Sequence, residues 1–182
     1  MKALVLMANG FEEVECITQV DFLRRAGIEV TTASIHEERM VEGGHRISVK
    51  ADALLKDVNE DEYDIAVLPG GGVGMQNLKS SEAVASLLKK FYQEEKWVAA
   101  ICASPVIFGG LGFLKGRRCV CYPGMEDGLA GGISVSDPVV VDGKVITSKG
   151  PATSLLFALK MIEVLCGKDA ADKVAADAQY SK

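Results

Sequence analysis

Short apolar runs that take turns with helical patterns constrain this chain more than any other feature of its sequence. Ala3–Met7 is followed by a helical pattern near Val14–Ala26, and Glu29–Ser34 comes next. Asp64–Leu68 precedes a helix near Glu82–Gln93, and Trp97–Ile101 precedes one near Pro105–Leu111. Strands this apolar must be covered on both faces, and strands joined through helices run parallel. The expected fold is therefore α/β, a doubly wound, mostly parallel sheet sandwiched by helices. In the first helix Val14, Ile17, Val20, Phe22 and Leu23 supply the apolar positions, and Gly27 is its stop. Two hairpins are expected to decorate the sheet. One is Met40–Val49, turning at Gly43-Gly44, and the other is Val139–Thr147, turning at Asp142-Gly143 with a type I′ signal. A last helical region starts at Pro151, runs to about Leu165, and is followed by a polar helix from Lys168. No linker, repeat or low-complexity segment interrupts the pattern, so residues 1–182 are expected to form a single domain.

Charge removes several classes of partner. The net charge of −5 leaves no basic footprint for nucleic acid or an anionic membrane. Residues 97–114 carry no charge, but Ser104-Pro105 and Gly109, Gly110 and Gly112 break them into a buried strand and a buried helix rather than a membrane span. Asn9-Gly10 and Glu12-Glu13 stop the first apolar run too early for a signal peptide. The five cysteines are odd in number and scattered, unlike a disulfide framework. Cys119-Val120-Cys121 is a lone CxC with neither His36 nor His45 near it in sequence, so no metal site is expected. Cys16, Cys119, Cys121 and Cys166 are expected to pack as buried apolar groups. The reducing cytosol is the expected compartment.

The glycine run Gly70-Gly71-Gly72-Val73-Gly74 follows a strand but lacks the third glycine of a dinucleotide fingerprint and the lysine of a P-loop. Pro69-Gly70-Gly71 does offer free backbone N–H groups to an anion. Ligands of open α/β sheets sit beyond the carboxyl ends of the strands. Four segments fall there: Gly10–Glu15, Pro69–Gly72, Cys102–Pro105 and Lys149–Ser154. Cys102 lies where strand turns into helix, with Ser104 as expected N-cap and Pro105 as first helical residue. A helix N-terminus beside the sulfur is expected to lower its pKa. Glu12 and Glu13 are accounted for as complements to a helix dipole, whereas Glu15 should project toward the cysteine loop and carry a proton.

The runs Glu12-Glu13-Val14-Glu15, Leu68-Pro69-Gly70-Gly71, Ala99–Ala103 and Thr147–Pro151 resemble the DJ-1/PfpI superfamily, in particular its DJ-1 (ThiJ-like) branch, over essentially the whole chain. The resemblance implies a flavodoxin-like sandwich, a homodimer, a Cys102 nucleophile partnered by Glu15, and an oxyanion site from the backbone of Gly71 and Ala103. Gly70, Tyr122, Gly150 and Pro151 are expected to line the substrate pocket. Arg25 and Arg46, with Glu12, match family positions near the dimer interface and its anion site. The implied activity is a glyoxalase or deglycase acting on methylglyoxal or related carbonyls without a cofactor. The alternative is a redox sensor or chaperone switched by Cys102 oxidation, and a cysteine peptidase or thiamine-pathway enzyme ranks behind both. Protease-like members carry His where this chain has Ala103, and many DJ-1 members carry His where it has Tyr122.

Overall fold

The computed structural model describes residues 1–180. Strand β1 (Lys2–Met7) leads into helix α1 (Glu13–Arg25) and strand β2 (Glu29–Ser34). Three short strands follow: β3 (Met40–Glu42), β4 (Ser48–Lys50) and β5 (Ala53–Leu54). Strand β6 (Ile65–Leu68) precedes helices α2 (Gly72–Ser80) and α3 (Glu82–Gln93), and β7 (Trp97–Ile101) precedes α4 (Pro105–Gly110). The remainder comprises β8 (Arg118–Cys119), β9 (Ile133–Ser134), β10 (Val139–Asp142), β11 (Val145–Ser148), α5 (Ser154–Cys166) and α6 (Lys168–Asp177).

The main sheet has seven strands in the order β10-β11-β7-β6-β1-β2-β5, with only β10 antiparallel to its neighbour. Its central strands explain the sandwich residue by residue. Side chains alternate across a strand, so Leu4, Leu6, Ala66, Leu68, Val98 and Ala100 enter one core with α2, α3 and α4. Ala3, Val5, Ile65, Val67, Ala99 and Ile101 enter the other, against α1, α5 and α6. The chain moves outward from β1 in both directions, to β2 on one side and β6 on the other, which opens a crevice at the ends of β1 and β6.

The flavodoxin-like α/β expectation holds, and several details differ. Val20 and Leu23 are buried as expected, but Val14 and Ile17 are exposed, and Glu13, Glu15, Cys16 and Gln19 complete the buried face of α1. Strands β3 and β4 pair with each other in a separate two-stranded sheet. Their loop is five residues long, between the paired Glu42 and Ser48, and its left-handed residue is Arg46 at φ 66°, not Gly43 or Gly44. In the β10–β11 turn Gly143 has φ 59° and no neighbouring residue is left-handed, the type II′ pattern rather than type I′. Pro151–Thr153 forms a single tight turn before α5 begins at Ser154. Cys166 is exposed, unlike the other four cysteines, and all five are free.

Helix α2 carries too many glycines to be read as a helix. Its Gly74 packs on the loop after β1, where a Cβ would lie 2.8 Å from Phe11 Cα and from Gly10 O. We expect Gly74→Ala to destabilise the fold by about 1–2 kcal/mol in urea unfolding, overpacking outweighing the better helix propensity. Gly110→Ala, whose Cβ meets nothing within 4 Å, should be neutral or slightly stabilising.

Candidate active site

Neighbouring parallel strands end side by side at the crevice, and each loop beyond them supplies one part of a shared site. After β1 the chain turns back so that Glu12 N–H donates to Gly70 O at 3.0 Å. Glu12 then caps α1, its Oε2 accepting from Glu15 N at 2.6 Å. Within the first turn of that helix Glu15 is fully buried, and its Oε2 accepts the Gly70 N–H at 2.9 Å. After β6, Gly71 has φ 93°, where a Cβ would collide with Gly10 O at 2.3 Å. After β7, Cys102 has φ 65°, a left-handed conformation that costs a non-glycine residue about 1–2 kcal/mol. Its neighbours hold it there: Cys102 N–H donates to Ser148 O at 2.9 Å and Cys102 O accepts from Tyr122 N at 2.8 Å.

The thiol and the carboxyl are within hydrogen-bonding reach of each other, and the N–H groups of Gly71 and Ala103 face the sulfur. Burial pushes Glu15 up to about 7, with help from the Glu12 charge, against the pull of Cys102 and the Gly70 N–H. Burial, then the charge of an ionised Glu15, pushes Cys102 up to about 12, while the two amides pull it down. Such a pair titrates as a unit, with one proton shared between its members near neutrality. An ionised Glu15 leaves its buried Oε1 without a hydrogen-bond partner. A protonated Glu15 turns a carboxyl oxygen into a donor to the sulfur and removes the charge that opposes thiolate. Transfer of the thiol proton to Glu15 therefore moves the negative charge onto sulfur, where two amides already point.

The sequence expectation about the helix N-terminus needs correction. Helix α4 is only six residues long, and Ser104 does not cap it. The Ser104 hydroxyl instead donates to Pro69 O at 2.6 Å, tying the cysteine loop to the glycine loop. Burial and the neighbouring carboxyl, not a helix dipole, dominate the thiol.

A pocket of about 410 Å³ opens over the sulfur, with Glu12, His45, Gly71, Cys102, Tyr122 and Pro151 on its walls. Gly70 and Gly150 lie beneath these groups: a Cβ on Gly150 would touch Tyr122 Cδ2 at 3.4 Å and stand 3.9 Å from Glu15 Oε1. The structure therefore brings together Cys102, Glu15, Gly70, Gly71, Ala103, Tyr122, Gly150, Pro151 and Glu12. It does not bring Arg25 or Arg46 to the pocket wall. Arg25 sits in the last turn of α1, its Nε donating to Asp21 Oδ2 at 2.8 Å, and Arg46 is exposed in the hairpin loop.

Glu13 and His45, which the sequence pattern gives no role in the site, meet at its edge. Glu13 is buried and accepts both from His45 N at 2.6 Å and from His45 Nδ1 at 2.7 Å, so it does more than complement a helix dipole. Ligand atoms of Glu12, Glu13 and His45 lie within 4.8 Å of one another. Glu12 is committed to the Glu15 N–H and Glu13 to His45, so these carboxylates serve protein donors rather than a cation.

A cysteine in a left-handed elbow at the end of a parallel strand, paired with a buried carboxyl from the first helix, defines an α/β protein built around a cysteine–carboxyl pair. The chain belongs to the DJ-1/PfpI family, whose model matches residues 1–164. It is 37% identical over 176 residues to Protein DJ-1 homolog B of Arabidopsis thaliana, covering 96% of this chain but 40% of that longer protein. A protein of Pyrococcus horikoshii named as a deglycase is 38% identical over 167 residues, covering 91% of this chain and 99% of the relative. The solved structure of oxidized Toxoplasma gondii DJ-1 superimposes with a TM-score of 0.95 at 39% identity, covering 100% of this chain and 99% of the other. Among the described residues no helix is long and apolar enough to cross a membrane.

Glu15 yields a test of stability against pH. Its folded pKa is raised from 4.5 to about 7, so its contribution is fully present below pH 4.5 and is lost as pH rises through about 7. Glu15→Gln, which stays neutral, should gain on wild type across that window by up to about 3 kcal/mol. Urea unfolding at acidic and alkaline pH measures the gap, and a pH-independent difference would mean that folding leaves the Glu15 pKa unshifted.

Proposed function

We propose that the protein converts small reactive carbonyl compounds, methylglyoxal among them, at Cys102 without a cofactor, with Glu15 as proton carrier. The observation that carries this reading is the buried Glu15–Cys102 pair facing the Gly71 and Ala103 amides. A relative named as a deglycase supports an enzymatic reading. The thiolate attacks the aldehyde carbon, a C–S bond forms, and the oxyanion settles on the two amides before it takes the Glu15 proton. Glu15 then moves a proton from this carbon to its neighbour, while the hydroxyl proton passes between the adjacent oxygens. The first carbon is oxidised to a thioester as the second is reduced to an alcohol, so no external oxidant is needed. Water cleaves the C–S bond, giving lactate and restoring the thiol.

Peptide cleavage is a poorer match. Protease-like members carry a His directly after the nucleophile to protonate the departing amine, and this chain has Ala103 there. Purified wild type should form lactate from methylglyoxal and leave casein intact. Cys102→Ser should abolish turnover, and Glu15→Gln should slow it by about 100-fold or more. Glu12→Gln should act mainly through the cap, at a cost of about 1 kcal/mol of stability. Casein hydrolysis that vanishes in Cys102→Ser would overturn the assignment.

One feature favours a second role as an oxidation sensor. The Gly71 and Ala103 amides and a protonated Glu15 converge on the sulfur as donors, and sulfinate oxygens there would accept from them. The solved relative described as oxidized is consistent with this. Limited peroxide should add two oxygens to Cys102 ahead of the exposed Cys166, read by peptide mass mapping. Preferential oxidation of Cys166 would remove this role.

The exposed apolar residues Val14, Ile17 and Ile47 support a homodimer that covers α1 and the β3–β4 hairpin. Five free thiols suit a reducing, cytoplasmic setting.

A further inference from the structure

At the rim of the pocket over Cys102 stands a largely exposed imidazole, His45, that the carbonyl chemistry above leaves unused. His45 reaches the pocket wall because the β3–β4 hairpin docks on the loop after β1, through Gly10 N–H to Glu42 O at 2.7 Å and Gly44 N–H to Phe11 O at 2.8 Å. Beneath the hairpin, Glu13 grips residue 45 twice, accepting its backbone N–H at 2.6 Å and its ring Nδ1 at 2.7 Å. Gly43 makes room for this grip, since a Cβ there would lie 2.3 Å from Glu13 Oε1. Burial alone would raise the Glu13 carboxyl. The hydrogen bonds from the His45 ring and backbone more than offset it and hold Glu13 below the usual carboxylate range. A carboxylate on Nδ1–H fixes the tautomer and leaves the Nε2 lone pair as the ring's basic site.

We propose that His45, oriented by Glu13, is the base that activates water when the Cys102 acyl-enzyme is hydrolysed. This rests on the carbonyl chemistry proposed above for its acyl-enzyme, but the step itself applies to any acyl group on Cys102. Water gives a proton to Nε2 as its oxygen bonds to the acyl carbon, and the resulting oxyanion lies on the Gly71 and Ala103 amides. Collapse breaks the C–S bond, sulfur leaves as thiolate, and the carboxylic acid and the imidazolium each release a proton to solvent. Glu15 is fully buried, and Glu12, whose carboxylate caps α1 through the Glu15 N–H, and Tyr122 are the other hydrogen-bonding side chains on that wall. Glu13 is a positioning residue in this scheme.

The pH dependence has a defined sign. The groups facing the imidazole are Glu13 and Glu12 of α1, with Cys102 and Tyr122 across the pocket and Arg46 next in the chain. The hydrogen bond and then the charge of Glu13 raise His45 above 6.5. The base is therefore lost on acidification, and deacylation should fall as pH drops through a midpoint above 6.5.

Acetylation of Cys102 with p-nitrophenyl acetate, followed by mass spectrometry of the decaying acetyl-enzyme, tests the step directly. His45→Gln should leave acetylation nearly unchanged and slow deacylation by about 100-fold. Glu13→Gln should slow it less and move the midpoint down. Added imidazole should restore part of the rate to His45→Ala, which a merely structural role of the ring would not allow. Equal deacylation in wild type and His45→Gln, or rates that rise as pH falls, would overturn the proposal. Lactate formation by wild type is scored separately, so failure of the glyoxalase reading cannot be mistaken for failure of this one.

Discussion

Gly70 is where the site is made possible. A Cβ at this position would lie 2.3 Å from Glu15 Oε2 and 2.5 Å from Cys102 Cβ. The missing side chain lets the backbone after β6 press against α1 on one side and the cysteine elbow on the other. Its N–H meets Glu15 and its carbonyl meets the Glu12 N–H, so one residue joins the loops after β1 and β6. The Ser104 hydroxyl on Pro69 O extends the tie to the loop after β7. A carboxyl can be fully buried beside a thiol because these contacts replace the water both groups lose.

Such a cluster ordinarily opposes folding. Burying a carboxyl and holding a non-glycine residue at positive φ each work against stability. Here the sheet supplies the offset: β1, β6 and β7 are flanked by apolar cores on both faces. The pair's shared proton follows from the same arrangement. Two amides aimed at sulfur, against a single N–H on the carboxylate, stabilise the thiolate once the proton has moved to Glu15.

The parts of this architecture that were readable from sequence are those in which local pattern and burial agree. The central strands were plain because both faces are apolar, and Cys102, Glu15 and Gly71 were plain because strand-end loops converge in any such sheet. Family motifs added Ala103, Tyr122, Gly150 and Pro151 to that group. Where apolar residues face outward, the pattern misled, as with Val14 and Ile17. Helix α2 was hidden by glycines needed for close approach, and β5, β8 and β9 are only two residues long, too short for any periodicity. The Glu13–His45 contact spans 32 positions and exists only because a hairpin docks on a loop, which spacing cannot reveal. The thiol is held up rather than lowered because burial, which no local motif reveals, outweighs the short helix beside it.

The hairpin that carries His45 stands outside the seven-stranded sheet. Its strands share no ladder with the strands that set the cysteine elbow, so changes in its length or sequence leave their register untouched. The mouth of the pocket is therefore built as a detachable module above a fixed floor. In a lineage of such proteins, the floor can keep its cysteine–carboxyl pair while the module changes which side chains face it.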